Sequence, residues 1–387
     1  MKYNFDELVD RKGTDSIKWE VKDGELPLWV ADMDFRVADE IIDALKKRVD
    51  NGIFGYTYID SDFKDAVVCH WQKHHAHTIN KSSILFSHGA VPSFASILKE
   101  FTHPGESVLL SSPAYNAFYN VIRNNGRNVV ENSLVYKNGT YKIDFKDLEN
   151  KMKRSDVSLF ILCNPHNPTG NIWTKNELLK IARLAKKYSV LVISDEIHCD
   201  IVDPGLSYTP YASISKDARE NSITLISATK AFNLAGIQSS ILYTDNDVYF
   251  ERMKRALNND ELCEPNSFAP VATIAAFREG DEWLSEMCEY VYKNKCFVRE
   301  FFCENLPKLK VVNGGATYLL WIDISAYTDN SENFCKRLRE KTGLFVSNGM
   351  MYGKTDGKGF FRLNVATPLS LLKDAMERLK SFIDDEF

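Results

Sequence analysis

The chain has 387 residues, of which 44% are apolar, so it can bury a large core, and about two domains are expected. Its net charge of −5 gives no support for nucleic-acid binding or for attraction to an anionic membrane surface. No apolar stretch approaches the ~20 residues that span a bilayer, and the first residues lack the apolar core of a signal peptide, so we expect a cytoplasmic protein.

Two segments stand out before the first strong strand signal. Residues 29–35 read Trp-Val-Ala-Asp-Met-Asp-Phe, which also fits an ordinary extended arm with a helix cap at Asp34. Residues 70–77 hold four histidines, and His70 and His74 would share one helix face at i, i+4, as metal ligands can. No carboxylate lies within that segment, so we interpret it as a solvated helix end and expect no metal site.

Between about residues 80 and 245, apolar strand candidates alternate with helices, which indicates an α/β fold with a mostly parallel sheet. Residues 86–93 read as a strand, a glycine turn and a helix with Pro92 in its first turn. Amide groups at a helix N-terminus bind phosphate readily, although a glycine before a helix is also an ordinary loop. Tyr115 closes the segment Ser-Ser-Pro-Ala-Tyr, for which a core tyrosine is the alternative.

Two later strands end in polar side chains. The apolar run 159–162 leads into Cys-Asn-Pro-His-Asn-Pro-Thr-Gly, whose prolines fix a sharp exit and leave Asn167 at the carboxyl end. The run 190–193 leads to Asp195, and a buried carboxylate there needs a partner. A rigid turn and a helix-capping or ion-paired aspartate are the respective alternatives. Between the two runs a capping box at residues 174–177 opens a helix. Its apolar positions are Leu178, Ile181, Ala182, Ala185 and Tyr188.

Lys230 lies in Ser-Ala-Thr-Lys-Ala-Phe-Asn-Leu-Ala-Gly, directly after the apolar run 223–226. A lysine at the mouth of a strand, flanked by hydroxyls and small residues, is suited to a Schiff base with an aldehyde cofactor. The alternative is a solvated lysine at a strand end. Near the C-terminus, Arg362 stands among apolar neighbours, where a buried guanidinium could bind a carboxylate in a bidentate manner. The alternative there is a structural arginine on an edge strand.

Taken in order, the asparagine turn, the strand-end aspartate and Ser-x-x-Lys resemble the fold-type I pyridoxal-phosphate enzymes of the aspartate aminotransferase superfamily. The resemblance runs over nearly the whole chain. It implies pyridoxal 5′-phosphate bound as a Schiff base to Lys230, which then removes the substrate's Cα proton as general base. It also implies that Asp195 keeps the pyridine nitrogen protonated and that Asn167 donates to the ring hydroxyl.

The resemblance implies further cofactor contacts. The backbone of Ala90 and Val91 and the hydroxyl of Ser227 would hold the phosphate, and Tyr115 would stack on the pyridine ring. His198 would be a cofactor contact at a position, three residues past the aspartate, where these enzymes commonly have tyrosine.

Departures from the common pattern indicate a branch of the superfamily. Gln238 stands where an arginine commonly binds the cofactor phosphate, and an asparagine stands within residues 232–236 where glycine is frequent. With His198 and the segment 29–35, these features resemble the MalY/PatB-like cystathionine β-lyases, the C–S lyases of the class I/II aminotransferase superfamily. That branch implies β-elimination of L-cystathionine, L-cysteine or S-substituted cysteines to pyruvate, ammonia and a thiol.

The substrate side of the site is implied by the same resemblance. Arg362 would bind the α-carboxylate of a small amino-acid substrate. Tyr56, in Gly-Ile-Phe-Gly-Tyr-Thr-Tyr at residues 52–58, would reach the active site of the other subunit, which implies a homodimer with shared sites. Lys230 and Tyr56 are both candidates for the proton donor to the leaving thiolate. An aminotransferase of the same fold is the alternative activity, and a regulatory protein that binds a transcription factor is a third hypothesis.

The family's plan also implies a domain division. Residues 1–45 would form an N-terminal arm and part of the small domain, residues 46–284 the large pyridoxal-phosphate-binding domain, and residues 285–387 the small α+β domain. A helix at 282–304 would bridge the two domains. The eight cysteines have no paired spacing, so we expect free thiols, and we favour buried packing over reactivity for Cys163 and Cys199.

Overall fold

The computed structural model describes residues 2–387, so the first residue of the expected N-terminal arm lies outside the described residues. Within this range the chain forms fifteen strands and thirteen α-helices. The strands, β1 to β15 in chain order, are Leu26–Pro27, Ile84–Ser87, Ser107–Ser112, Asn128–Ser133, Val135–Lys137, Thr140–Lys142, Val157–Cys163, Leu191–Asp195, Ser222–Ile226, Ser240–Tyr243, Lys310–Val311, Leu319–Asp323, Leu344–Phe345, Ser347–Asn348 and Phe360–Asn364. The helices, α1 to α13, are Asp39–Asp50, Ser61–His75, Ala90–Phe101, Asn116–Asn124, Phe145–Met152, Lys175–Lys187, Lys216–Glu220, Ala228–Ala231, Asp247–Asn259, Ala269–Glu279, Asp281–Asn305, Ser331–Thr342 and Leu369–Glu386.

Seven strands form a central sheet in the order β2-β10-β9-β8-β7-β3-β4. Strand β10 runs antiparallel to both of its neighbours, and every other neighbouring pair in this sheet is parallel. Parallel neighbours need a long crossover connection, usually a helix, which explains why strands and helices alternate here. The prediction of an α/β fold with a mostly parallel sheet is confirmed.

Both faces of this sheet are buried. Along β7, Leu159 and Ile161 pack into one apolar cluster, while Phe160 and Leu162 pack into a second cluster. Because successive side chains of a strand point to opposite faces, a strand covered on both sides needs a continuous apolar run. That requirement accounts for the uninterrupted apolar runs that marked these strands in the sequence.

The carboxyl ends of the parallel strands meet at one edge of the sheet. Cys163 at the end of β7 lies opposite Asp195 at the end of β8, and Asp195 lies opposite Leu225 on β9. Strand β2 and strand β9 are both antiparallel to β10, so Ser87 at the end of β2 lies at the same edge as Ser227, which follows β9. Open α/β sheets bind their ligands at this edge.

A second, four-stranded sheet has the order β11-β12-β15-β14, with antiparallel pairs throughout. It places Arg362 of β15 opposite Trp321 of β12 and Ser347 of β14. Strand β1 pairs in parallel with β13, which joins the N-terminal segment to the C-terminal part of the fold. Helix α11 spans 25 residues and covers the bridging helix expected at 282–304. The domain division at residues 45 and 284 stays a prediction.

The start of helix α6 has the capping box that its sequence predicted. The Thr174 side chain accepts from the amide of Glu177, and the Glu177 carboxylate accepts from the amide of Thr174. Two otherwise unpaired amides of the first turn are thereby satisfied. Four of the five apolar positions are buried, whereas Tyr188 is the C-terminal cap and only partly buried.

The histidine-rich segment is a solvated helix end only in part, because residues 72–74 and Ala76 are exposed at the end of helix α2 whereas His70 is not. His70 is buried within helix α2, and its Nε2 lies 3.1 Å from Oδ1 of Asp200, which His75 also contacts at 2.8 Å. His74 contacts Asp281 at 2.8 Å. The sequence segment contains no carboxylate, but folding brings one from the turn after β8 and one from the start of α11.

Among the described residues, no helix has both the length and the apolar character needed to cross a membrane. All eight cysteines are free, and Cys163 and Cys199 are buried. Burial raises the pKa of both thiols well above the ordinary value, which keeps them protonated and unreactive. The structure therefore supports the packing role expected for these two cysteines.

Candidate active site

Lys230 follows strand β9 in the short helix α8. Ser227 caps this helix, since its Oγ accepts from the amide of Thr229 at 3.0 Å, and the same hydroxyl donates to the carbonyl of Ser239 at 2.6 Å. The Nζ of Lys230 donates to the carbonyl of Ala31 at 2.8 Å. Burial lowers the pKa of Lys230 to about 8, and the nearby guanidinium of Arg362 acts in the same direction. A larger fraction of this amine than of an ordinary lysine is therefore neutral, and able to act as a nucleophile or accept a proton, at neutral pH.

Asp195 is buried at the end of strand β8, close enough to Lys230 to feel its charge. Within residues 2–387, the one hydrogen bond to its carboxylate comes from the amide of Ile197 at 3.3 Å. Burial raises its pKa to about 7 because the charged form is poorly solvated there. A carboxylate in this setting favours a cationic partner, such as a protonated ring nitrogen.

Asn167 and Arg362 lie in direct contact. Nη1 of Arg362 donates to Oδ1 of Asn167 at 3.1 Å, and Nη2 donates to the carbonyl of Trp29 at 2.9 Å. The guanidinium also lies over the ring of Tyr352, 4.9 Å from its centroid. Its Nε has no hydrogen-bond partner among the described residues, although it is buried. An unpaired buried N–H is costly, so this edge of the guanidinium is suited to an anionic ligand.

His198 and Tyr115 border the same cluster. His198 is buried, its Nδ1 has no partner within the described chain, and burial lowers its pKa to about 3, with Lys230 and Arg362 acting in the same direction. The imidazole is therefore neutral at physiological pH. Tyr115 precedes helix α4, where burial raises the pKa of its phenol and nearby Arg362 opposes that shift. Neither side chain carries charge at pH 7.

Helix α3 begins at Ala90, with Gly89 as its cap and no side chain satisfying the first amides. Val91, in the first turn, is partly exposed. Because strand β2 ends at the same edge as β9, the start of helix α3 lies at the edge of the sheet that carries Ser227 and Lys230. Free amides at the start of a twelve-residue helix form a site suited to a phosphate group.

Tyr56 is the one predicted site residue that the single chain leaves apart from the cluster. It lies between α1 and α2, and its side chain is fully exposed. Ile53, Phe54 and Tyr58 on the same connection are also exposed, at 72%, 53% and 78%. Such a run of exposed apolar side chains is typical of an interface.

The structure gives a role at the site to residues 29–35, which stood out in the sequence without any contact being assigned to them; we call this segment the N-terminal strap. Its backbone crosses the cluster, with the carbonyl of Ala31 on Lys230 and the carbonyl of Trp29 on Arg362. Asn233 holds its far end through the amide and carbonyl of Met33. Asn233 has φ +56, a left-handed conformation that asparagine tolerates better than most residues.

Charged side chains hold the strap from behind. Lys18, fully buried, donates to Asp34 at 2.7 Å, and Arg11 contacts Asp32 and Asp34, both at 2.9 Å. Asp34 is therefore an ion-paired residue, and the alternative of a helix cap is wrong, since helix α1 is preceded by Ala38. The clustered charges of residues 32 and 34 were visible in the sequence, but their partners were not.

Comparison with known proteins agrees with this geometry. The profile of the family aminotransferase class I and II matches residues 25–379. The chain is 41% identical to cystathionine beta-lyase PatB of Bacillus subtilis (strain 168), over 98% of this chain and 99% of that protein. Cystalysin of Treponema denticola, whose crystal structure contains a pyridoxal 5′-phosphate cofactor, superposes with a TM-score of 0.96 at 32% identity, covering 100% of both chains. The PLP-bound C–S lyase of Staphylococcus hominis gives a TM-score of 0.93 at 31% identity and covers 98% of both chains. The chain belongs to the aminotransferase class I and II family.

Proposed function

We propose that this protein is a pyridoxal-phosphate-dependent C–S β-lyase that cleaves L-cystathionine, L-cysteine or related S-substituted cysteines. The observation that carries the proposal is the pairing of a partly buried amine with a buried carboxylate. Lys230 has a lowered pKa, and Asp195 near it is a buried carboxylate without a cationic hydrogen-bond partner in the described chain. The relatives named cystathionine beta-lyase and C–S lyase support this choice of reaction.

The residues present fit pyridoxal phosphate. The amine of Lys230 would bind it covalently, and the Asp195 carboxylate would accept a hydrogen bond from the pyridinium and offset its charge. Asn167 would donate through its side-chain amide to the ring hydroxyl, because its Oδ1 already accepts from Arg362. The free amides of Ala90 and Val91 would bind the phosphate.

Three further side chains would complete the cofactor site. Ser227 would offer its hydroxyl to the phosphate in place of its present bond to a carbonyl. Tyr115 would stack on the ring, and neutral His198 would contact the cofactor beside Asp195 without competing for its charge. A neutral imidazole leaves Asp195 free to pair with the pyridinium.

The bound cofactor supplies an electron sink for the pair left at Cα of the substrate. Lys230 would take the Cα proton after the substrate's amino group has displaced it and set its amine free. The amine must be neutral for this role, and a pKa of about 8 leaves a useful neutral fraction at physiological pH. The C–S bond then breaks with its electron pair moving to sulfur, and Lys230 or Tyr56 of the other subunit protonates the thiolate. The remaining three-carbon part of the substrate is then hydrolysed by one water molecule to pyruvate and ammonia.

Arg362 would bind the α-carboxylate of the substrate. Its Nη1 and Nη2 are already fixed by Asn167 and Trp29, so the guanidinium plane is set before a ligand arrives. The buried Nε–H has no hydrogen-bond acceptor among the described residues, so a carboxylate could accept from it. A preorganised guanidinium loses little side-chain entropy when it binds a carboxylate.

We further propose that the protein is a cytoplasmic homodimer with shared sites. Full exposure of Tyr56 and the exposed apolar side chains around it support a second subunit covering this connection. Free thiols at all eight cysteines support a reducing compartment. Sedimentation of the purified protein should give twice the chain mass, whereas a monomer at micromolar concentration would contradict the shared-site arrangement.

The activity is tested by incubating the purified protein with L-cystathionine in the absence of any 2-oxo acid. We expect equal amounts of pyruvate, ammonia and thiol, measured in one reaction, and no product from a Lys230→Ala control. Strict dependence on 2-oxoglutarate or pyruvate, with the amino group recovered on that acceptor, would instead identify an aminotransferase.

A further inference from the structure

Tyr318 shares a hydrogen-bond acceptor with Lys230. Its ring is buried directly before strand β12, and its hydroxyl donates to the carbonyl of Ala31 at 2.9 Å. Nζ of Lys230 donates to that same oxygen at 2.8 Å. Two donors on one carbonyl place the phenol beside the amine, although Tyr318 lies far from Lys230 in the sequence.

Ala31 is the residue of the N-terminal strap whose carbonyl accepts from Lys230. Side chains donate to all five carbonyls from residue 29 to residue 33. The donors are Arg362 and Ser347 on Trp29, Asn364 on Val30, Lys230 and Tyr318 on Ala31, Asn364 and Lys18 on Asp32, and Asn233 and Arg11 on Met33. Of these hydrogen bonds, only that of Lys230 must break during the proposed reaction, because its nitrogen then bonds to the cofactor. Tyr318 is the donor that remains on Ala31 when Lys230 is bonded elsewhere.

This arrangement sets the direction of the amine. A neutral lysine amine has two N–H groups and one lone pair, so donating one N–H to a fixed carbonyl restricts where the lone pair points. An oriented base removes a proton faster than a freely rotating one. We propose, on the basis of the lyase function above, that Tyr318 is a positioning residue that fixes the Ala31 carbonyl as the acceptor orienting the released amine of Lys230.

Tyr318 acts here as a hydrogen-bond donor, not as a base. Burial raises the pKa of its phenol, and the carboxylate of Asp32 acts in the same direction, so the hydroxyl keeps its proton. Its ring also packs edge-on against His198, with centroids 6.0 Å apart. The ring is thus fixed by packing, and the hydroxyl alone makes the contact with Ala31.

The test replaces Tyr318 with phenylalanine, which keeps the ring and its packing and removes only the hydroxyl. Tyr136→Phe is the matched control, because it removes a partly buried phenol that donates to Asp323 at 2.9 Å, outside the candidate site. Both variants are compared with wild type in holoenzyme form for kcat, KM and the primary isotope effect with α-deuterated L-cystathionine. Hydrogen exchange of the strap amides is measured on the cofactor-free proteins.

We expect Tyr318→Phe to lower kcat about tenfold or more, to change KM less than about twofold and to raise the isotope effect. Exchange of the strap amides should become faster, while Tyr136→Phe leaves kcat, the isotope effect and strap exchange as in wild type. Site-specific 3-fluorotyrosine at position 318, which keeps the donor, should restore wild-type kcat.

An unchanged kcat and isotope effect in Tyr318→Phe would overturn the inference while leaving the lyase function intact. A change in KM alone would also overturn it, since that pattern indicates ground-state binding. If wild type released no pyruvate, the lyase proposal would fail instead. The role of Tyr318 is tested separately by hydrogen exchange in the cofactor-free proteins. Unchanged exchange of the strap amides in Tyr318→Phe would show that Tyr318 does not fix Ala31.

Discussion

Asp195→Asn should stabilise the cofactor-free protein, although it removes a residue that the cofactor needs. Burial raises the pKa of Asp195 from 3.8 to about 7, so the ionised carboxylate is disfavoured in the folded state. A difference of one unit between the folded and unfolded pKa corresponds to about 1.4 kcal/mol. The shift of Asp195 therefore costs the folded protein about 4 kcal/mol when the carboxylate is ionised in both the folded and the unfolded state. Asparagine has the same shape and can accept from the Ile197 amide, so we expect a gain of about 2–4 kcal/mol at pH 8.

The sign of this effect depends on pH. Above the folded pKa of about 7 the carboxylate is charged in both states, and the whole penalty is present. As the pH falls towards the unfolded value of 3.8, the folded state keeps its proton and the penalty disappears. The free energy of unfolding, measured by urea denaturation at pH 8 and pH 5, should therefore differ between variant and wild type by clearly more at pH 8.

Asp34→Asn is the matched control, with an effect of opposite sign. Asp34 is equally buried but is paired with Lys18 at 2.7 Å, so its removal leaves a buried ammonium without its partner. We expect a loss of about 3–5 kcal/mol. An Asp195→Asn protein that is no more stable than wild type at pH 8 would show that the carboxylate is already compensated, and would refute the reasoning from an unbalanced buried charge.

Three further predictions concern the amine, the guanidinium and the second subunit. In the cofactor-free protein, the labelling of lysines by an amine reagent can be followed by peptide mass spectrometry as a function of pH. Labelling of Lys230 should rise with a midpoint near pH 8. Exposed Lys12, whose pKa is raised by its contact with Asp23, should label only at higher pH. A midpoint above pH 10 for Lys230 would contradict its burial. Arg362→Lys should lower kcat/KM roughly 30- to 100-fold by losing the planar guanidinium, and should have a much smaller effect on a substrate analogue whose carboxylate is replaced by a neutral amide. Mixing inactive Tyr56→Ala and Lys230→Ala dimers should restore up to about a quarter of wild-type activity, because one site of each hybrid is intact. No recovery after verified subunit exchange would place Tyr56 and Lys230 in the same subunit's site.

The sequence predicted the central sheet and its polar edge because both depend on local patterns. Continuous apolar runs mark strands that are buried on both faces, and the residue that follows each run must lie at the sheet edge. Asn167, Asp195 and Lys230 could therefore be assigned to one edge from the amino-acid sequence alone. These residues lie close together because the parallel strands that carry them end at the same edge of the sheet. Each motif follows an apolar strand in the sequence, which already indicates this arrangement.

Contacts between distant segments could not be predicted. Tyr318 carries no motif, and its relation to Lys230 arises from a carbonyl of the N-terminal strap. The carboxylate of Asp200 reaches His70 only because helix α2 packs beside the turn that follows β8. Backbone acceptors such as Ala31 have no residue signature, since every residue carries the same carbonyl group.

The covalent bond between Lys230 and the cofactor is tested most directly by reducing the purified holoenzyme with borohydride, digesting it and locating the modified peptide by mass spectrometry. We predict one phosphopyridoxyl group per chain, on Lys230, and loss of the absorbance near ~420 nm on reduction. Modification of another lysine, or none after reconstitution with pyridoxal phosphate, would show that Lys230 does not hold the cofactor.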